Sequence, residues 1–302
     1  MADTSGMADI RGIDINKVAT GFAEEEYILK KYCRISNTKA RELRWWKKTA
    51  GTLDSTDTSG ITASQILNSG DQLSLPVVIE QSWTRQTSYI KEFKVESPTL
   101  AEADIRDSDV DLLMSNLQDI VRAVAQQVNI RIFSVLSEAA AATPTTPNPT
   151  NVNTAAATGT GWDDGTNGNP IADILYGETQ IYSYNYDASQ AVIVMHPEDR
   201  EHLMSWLIST KGSSIPEFAS KKVGDGKLMM FLGHPVIVTT NVTKDWVYMF
   251  VANKALTWKQ FSPLRAVTIE EALIGTKIRV KEEGEALLEN PRAVHIISDT
   301  IT

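Results

Sequence analysis

The sequence predicts an α+β protein organised around one very long helix. From about Ser108 onward, apolar residues recur mostly at spacings of three and four, and no Pro or Gly interrupts the pattern before Pro144. Beyond Pro170, helices and strands follow one another without regular alternation, which argues against a doubly wound parallel sheet. The chain has 302 residues, of which 42% are hydrophobic and 22% charged, as in ordinary globular proteins.

Composition excludes several classes of protein. No apolar run approaches the ~18 residues of a membrane-spanning helix, so no membrane partner is expected. Cys33 is the only cysteine, which excludes disulfide bonds within the chain and metal sites built from cysteines. The net charge of −9 argues against a dedicated reader of nucleic-acid sequence, and the polar, acidic N-terminus does not resemble a secretory signal.

Charge is segregated along the first 48 residues. Residues 1–26 are mainly acidic, whereas residues 30–48 carry eight lysines and arginines against Glu42 alone. Trp45 and Trp46 lie within this basic half. Two interpretations are open: a solvated helix face, or an arm that lies on an acidic surface of a neighbouring subunit or faces a polyanion.

A polar segment follows the basic stretch. Residues 49–74 are rich in Ser, Thr, Gly and Asp, contain no lysine or arginine, and offer little that could form a core. In the next stretch, apolar and polar residues alternate in part, which is a strand signal. Together the two stretches predict a long, exposed hairpin.

The long helix has clear signals at its start and along its buried face. Asp107 or Ser108 can cap it, and the pattern continues for about 33 residues, or roughly 50 Å at 1.5 Å per residue. Such a helix should cross a whole domain as a spine. Its predicted core residues are Leu113, Leu117, Ile120, Val124 and Val128.

The second half of the chain begins with a segment rich in Pro, Gly and Thr. Residues 143–170 predict a linker or exposed loop and the best domain boundary in the chain. Helices are then expected from Ile171 and from Pro197, with a buried strand at residues 191–195 between them. A turn-rich hairpin region and several strands complete the chain.

Sequence templates for catalysis are missing. The chain has no G-x-S-x-G, H-E-x-x-H or Walker A sequence. His196, Glu198, Asp199 and His202 cluster, but carboxylates at a helix start are explained by the helix dipole. A cation loop and an ordinary turn remain open for four side chains, with the turn favoured: Asp163, Asp164, Asn167 and Asn169. We expect no catalytic residue, cofactor or metal.

Four stretches, in this order along the chain, resemble the major capsid proteins of tailed double-stranded-DNA phages and related archaeal viruses. The first runs from SWTRQTSYIKEFKVES into the long helix, and the second is IADILYGETQIYSYNYDASQAVIVMHPEDREHLMSWLISTKG. The others are MMFLGHPVIVT and IRVKEEGEALLENPRAVHIIS. Each motif alone is weak, but the four occur in the correct order, and the resemblance extends from about residue 40 to residue 300.

The resemblance implies a fold with four parts. These are an N-terminal arm (1–48), an extended loop (49–91), a peripheral domain with the spine helix (92–152 and 264–302), and an axial domain (153–263). It implies self-assembly through hexamers and pentamers into an icosahedral virion shell around DNA bound without sequence specificity, formed in the host cytoplasm. Other implied partners are a scaffolding protein, a portal and a decoration protein. Contacts between subunits are expected at Arg41, Arg44, Trp45, Trp46, Lys47, Lys48, Trp83 and Arg85.

Two other functions stay open. An encapsulin-like nanocompartment shares this fold but holds a protein cargo, and a soluble enzyme that uses carboxylates is a more distant alternative.

Some capsids of the family join a loop lysine to an asparagine, assisted by a glutamate. No lysine lies between Lys48 and Lys91, and Gly275 and Thr276 stand where the asparagine is expected, although Glu282 and Glu283 are present. We therefore expect no covalent cross-link and interpret these glutamates as ordinary strand or turn charges.

Overall fold

The computed structural model describes residues 16–48, 83–101, 112–139, 147–211, 230–271 and 274–301. The chain forms two compact units. Unit 1 comprises residues 1–43, 88–132 and 258–286, and unit 2 comprises residues 44–87, 133–257 and 287–302. The predicted α+β class is confirmed, since helices and strands of both units succeed one another without regular alternation.

The helices and strands of the described residues are, in chain order, α1 (16–26), β1 (Arg34–Asn37), β2 (Glu42–Lys48), β3 (Trp83–Tyr89), β4 (Lys91–Glu96), β5 (Leu100–Ala101), α2 (Leu112–Leu136), β6 (Asn153–Ala156), α3 (Pro170–Ser183), β7 (Ala191–Met195), α4 (Pro197–Trp206), β8 (Met230–Phe231), β9 (His234–Val238), β10 (Trp246–Val251), β11 (Leu256–Glu271), β12 (Gly275–Leu288) and β13 (Val294–Ser298). Short 3₁₀ turns stand at Lys30–Tyr32, Ala188–Gln190 and Pro291–Ala293.

Unit 1 is built on a sheet with the strand order β1-β11-β12-β4, in which β5 also pairs with β12. Strand β12 runs antiparallel to β4, with Val280 opposite Val95. Both faces of β12 are covered near its middle, because Glu282, Glu283, Gly284 and Glu285 are all buried. Carboxylates at such positions need partners within the chain.

The long helix α2 extends over 25 described residues, and the predicted start at Ser108 lies outside the described residues. Four of the five predicted core residues are buried, whereas Leu113 is half-buried. The helix ends where Glu138 takes a positive φ of 51°, and the hydroxyl of Ser137 donates to the carbonyl of Phe133. The helix therefore ends a few residues before the C-terminal end that was predicted for it from a length of about 33 residues.

Unit 2 is built on a mixed sheet with the strand order β6-β13-β10-β7-β9-β8. Strand β10 is antiparallel to β7 and β13, whereas β7 pairs with β9 in parallel. All five residues of β7 are buried, as its uninterrupted apolar sequence predicts. Helix α3 begins with the Asn169 cap and Pro170, and α4 with the His196 cap and Pro197.

The prediction of a linker at residues 143–170 is wrong for residues 147–170. Strand β6 lies within this segment and pairs in parallel with β13. Trp162 is only 1% exposed and donates from Nε1 to Asp173 on α3 at 2.8 Å. A polar, proline-rich composition did not reveal these long-range contacts, which add the segment to the core of unit 2.

The predicted hairpin has a paired base, because β2 and β3 form a two-stranded sheet. The segment 49–82 that connects them lies outside the described residues, as do residues 212–229 of the predicted turn-rich region. The C-terminal strands divide between the units: β12 belongs to the sheet of unit 1, and β13 to the sheet of unit 2. None of the described helices combines the length and hydropathy of a membrane span.

Candidate assembly surface

A buried ion pair anchors the basic N-terminal segment to β12 within unit 1. The ammonium group of Lys30 pairs with Glu282, whose side chain is fully buried. The hydroxyl of Tyr27 donates to the second oxygen of the same carboxylate, and Lys30 also lies over the Tyr27 ring, 4.0 Å from its centroid. Burial, followed by the nearby charge of Glu282, raises the pKa of Tyr27 far above its ordinary value.

Two further glutamates of β12 bind cationic side chains of unit 1. Arg131 of α2 donates to Glu285 from Nε at 3.1 Å and from a second nitrogen. Burial nevertheless raises the pKa of Glu285, although the contact with Arg131 opposes this shift. Glu283 lies 2.9 Å from the ammonium group of Lys281 and 3.9 Å from the guanidinium group of Arg41. The glutamates of β12 are therefore core ion-pair partners, and their interpretation as ordinary strand or turn charges is wrong.

Asn129 of α2 holds the backbone just before Lys30. Its side-chain oxygen accepts from the backbone N–H groups of Ile28 and Leu29, each at 3.2 Å. Its side-chain nitrogen donates to the carbonyl of Glu26 at 3.1 Å, and the Glu26 carboxylate pairs with Arg122 at 2.9 Å. Residues 26–30 are thus fixed by side chains of their own chain.

Lys47 forms the corresponding buried ion pair of unit 2, with Glu138 at the end of α2. Burial alone would raise the pKa of Glu138. Hydrogen bonds outweigh this effect and lower the pKa to about 2; they come from the backbone N–H of Asn151, the Lys47 ammonium, the Asn151 side chain and the backbone N–H of Thr150. The charge of Lys47 is neutralised within the chain.

The predicted subunit-contact residues therefore differ in their surroundings. Arg41 is exposed and lies over the ring of Phe261, 5.2 Å from its centroid, and Arg44 and Arg85 are also exposed. Trp45 is half-buried and donates to the carbonyl of Leu288 at 3.4 Å, whereas Trp46 is 58% exposed. Lys48 and Trp83 lie in β2 and β3, but their side chains fall outside the described residues.

Two of the carboxylates considered for a chemical role, Asp164 and Asp199, have structural roles. Asp164 accepts hydrogen bonds from Thr160, Thr166 and Asn167, which is the pattern of a side-chain-stabilised turn. Asp199 is buried and accepts from the hydroxyl of Thr300 at 2.7 Å. Within the described part of the chain, no three His, Cys, Asp or Glu side chains are arranged to hold a metal ion.

Sequence reasoning missed the partners of the basic segment. Glu282, Glu283 and Glu285 stand within a strand that is otherwise apolar at its C-terminal end, and this pattern could have indicated buried carboxylates. No local signal identifies Asn129, because its role is to bind the backbone of residues 26–29, and only the tertiary structure brings that segment next to α2. Of the basic residues in 30–48, Lys30 and Lys47 are therefore paired with carboxylates of their own chain.

Comparisons with known proteins agree with this architecture. A family model described as "Phage capsid protein" matches residues 96–297. Comparison with curated proteins gives no match. Among solved structures, the chain is similar to a virus-like particle from Pyrococcus furiosus, with a TM-score of 0.60, 10% identity, and coverage of 95% of this chain and 99% of that chain.

Two phage structures show the same fold. The capsid of the cyanophage P-SCSP1u matches with a TM-score of 0.60 and 13% identity over 90% of this chain and 88% of that chain. The structure from Mycobacterium phage Che8 matches with a TM-score of 0.57 and 14% identity, over 87% of this chain and 86% of that chain. Since the family model matches about two thirds of the sequence, the chain belongs to the phage capsid protein family, and it is a structural major capsid protein.

Proposed function

We propose that copies of this chain assemble through hexamers and pentamers into an icosahedral shell that encloses double-stranded DNA. The observation that carries the proposal is the family match over residues 96–297. The exposed arginines of residues 41–44 and the exposed Trp46 support it, because they supply charge and aromatic area for contacts between subunits. A net charge of −9 suits a container that must not hold DNA tightly.

The four-part division of the chain is part of this proposal. Unit 1, with α2, would correspond to the peripheral domain, and unit 2, with the six-stranded sheet, to the axial domain. The boundaries predicted from the sequence differ from those of the units in three places: residues 133–152 and 287–302 belong to unit 2, and residues 258–263 belong to unit 1. The loop 49–91 would lie on neighbouring copies, which is why it needs few core residues of its own.

We propose three further partners: a scaffolding protein, a portal and a decoration protein. Assembly would take place in the host cytoplasm, and the chain would have no catalytic role. The main alternative is an encapsulin-like compartment with a protein cargo. The family match to a phage capsid protein over residues 96–297 makes this alternative less favoured.

Electron microscopy of the expressed chain tests the assembly. Shells, rings or capsomers are expected, and a protein that stays monomeric at high concentration would contradict the proposal. Particles isolated from the natural source should then be treated with nuclease, opened and analysed. Protected double-stranded DNA supports the capsid function, whereas a protein cargo without DNA supports the compartment.

A further inference from the structure

The edges of the two sheets differ in how they are protected against pairing with another chain. The strand orders place β1 and β4 at the edges of the sheet of unit 1, and β6 and β8 at the edges of the sheet of unit 2. Proteins protect edge strands by making them very short or by placing charges on them. Strand β8 has only two residues, and four of the six residues of β4 are charged. Strands β1 and β6 each have four residues, of which only Arg34 is charged, so they are the less protected edges.

Strand β1 carries an exposed apolar side chain on its edge. Ile35 is 55% exposed, and Arg34 and Asn37 of the same strand are also exposed. Residues 31–41 contain four lysines and arginines and no acidic residue. An exposed isoleucine on a basic edge suits an acidic partner that has a cavity for the aliphatic side chain.

The edge at β6 offers a cavity. A space of about 400 Å³ is lined in part by Ala155 of β6, Ala172 and Tyr176 of α3, and Ile297 of β13. Ala155 is opposite Ile297 in the parallel pairing of β6 with β13, so both side chains lie on the α3 side of the sheet. The cavity is large enough for a branched aliphatic side chain, since one water in the liquid occupies roughly 30 Å³.

The surroundings of this cavity are acidic. Residues 151–190, which include β6 and α3 and are all described, contain five acidic residues and no lysine or arginine. Arg292 lies near the start of β6, but its guanidinium group donates to Asn153 at 2.9 Å and lies over the ring of Tyr184. The β6 edge is therefore complementary in charge to the basic β1 edge, and complementary charges favour association and orient it.

Strands β1 and β6 belong to different sheets of the chain, so they can pair only when a second copy brings them together. We propose that β1 of one copy adds to the β6 edge of a second copy as a further strand, with Ile35 in the cavity beside Ala155. The inference rests on the proposed function, since an interface between two different patches generates a ring when the rotation closes. In strand addition, backbone hydrogen bonds supply affinity, and pockets for alternate side chains supply specificity.

Ile35→Asp tests the β1 edge. Because Ile35 is exposed, the variant should keep the circular-dichroism spectrum and melting temperature of the wild type. The yield of shells or capsomers should fall at least tenfold, because the new carboxylate would be buried in a cavity whose wall includes Asp173. Val267→Asp is the matched control, since Val267 is 57% exposed on β11 of the same unit, and it should leave assembly unchanged.

Cross-linking tests which strand lies beside β6. With Ile35 on the α3 side, Ser36 and Ala156 would both lie on the opposite face of the combined sheet, because side chains alternate along a strand. Ser36→Cys and Ala156→Cys subunits, mixed before assembly and treated with a short bis-maleimide, should form dimers on a denaturing gel. Mixtures of Ser205→Cys, on the exposed face of α4, with Ala156→Cys should form none, and native Cys33 is buried.

Three outcomes would overturn the inference. They are normal assembly of folded Ile35→Asp protein, absence of a cross-link between residues 36 and 156, and dimers formed by Ala156→Cys subunits alone, which would place two β6 edges together. Failure of the wild type to assemble would instead refute the proposed function.

Discussion

Lys30 and Glu282, which are 252 positions apart in the sequence, form a buried ion pair in unit 1. The pair joins the segment that follows α1 to the middle of β12. Tyr27 completes it by donating a hydrogen bond to the same carboxylate. A basic residue that could have served a neighbouring subunit therefore holds the fold of its own chain.

Replacing Lys30 by Met should destabilise unit 1. The substitution leaves Glu282 buried without its cation, and removing one partner of a buried pair costs about 3–5 kcal/mol. Urea denaturation should show this loss, whereas Lys31→Met, at the neighbouring exposed position, should change stability little. The double variant Lys30→Met with Glu282→Leu should recover part of the loss. Equal midpoints for Lys30→Met and Lys31→Met would contradict the assignment.

Glu138 should contribute stability that is lost at low pH. Its pKa is lowered from 4.5 to about 2, so the folded state favours the carboxylate. The stabilisation is fully present above the unfolded pKa and decreases as pH falls from about 4.5 to about 2, by about 3 kcal/mol in total. Glu138→Gln should remove this part of the pH dependence in denaturation curves. If the Glu138→Gln variant loses stability at low pH as steeply as the wild type, Glu138 is not the source of this pH dependence.

His295 should cause a separate loss of stability as pH falls, in a higher pH range than Glu138. Burial lowers the pKa of this histidine from 6.5 to about 4, and both ring nitrogens lack a hydrogen-bond partner. Between these two values the unfolded chain binds a proton that the folded chain does not, so stability decreases by about 3 kcal/mol as pH falls from 6.5 to about 4. His295→Leu should abolish this slope without lowering stability at pH 8. Persistence of the slope would exclude His295 as its source.

Gly284→Ala should destabilise the packing of β12. A Cβ atom at this position would lie 2.4 Å from Cζ2 of the buried Trp258 ring, which cannot move aside without disturbing the core. We expect a cost of about 1–3 kcal/mol, measured by thermal melting. Gly21→Ala is the control, because nothing lies within 4 Å of the new methyl group and alanine favours the helix. If the two variants have the same melting temperature, the close approach of residue 284 to Trp258 does not limit the stability of the protein.

Assembled particles should lack covalent cross-links between subunits. The chain has no lysine between Lys48 and Lys91, and Glu282 is already paired with Lys30 and Tyr27. Boiled in detergent and run on a denaturing gel, particles should give one band near 33.3 kDa, or slightly below it if the N-terminus is trimmed. A ladder at the masses of pentamers and hexamers would be incompatible with this prediction.

Local patterns were sufficient to predict much of the secondary structure. The spacing of apolar residues in α2, the continuous apolar sequence of β7 and the proline at the start of α4 are confirmed at the positions where they were expected, and α3 begins one residue before the expected Ile171. Each of these signals depends on residues within a few positions of one another, because helix and strand periodicity and capping are local effects.

Pairings between distant residues could not be derived in this way. The strand β6 within a proline-rich segment, the ion pair of Lys47 with Glu138, and the hydrogen bonds of Asn129 to residues 26–29 all depend on which segments the topology brings together. The basic composition of residues 30–48 was evident from the sequence alone, as was the acidic pattern of β12. That Lys30 meets Glu282 was decided only by the tertiary structure, because burial makes an ion pair necessary without specifying its partner.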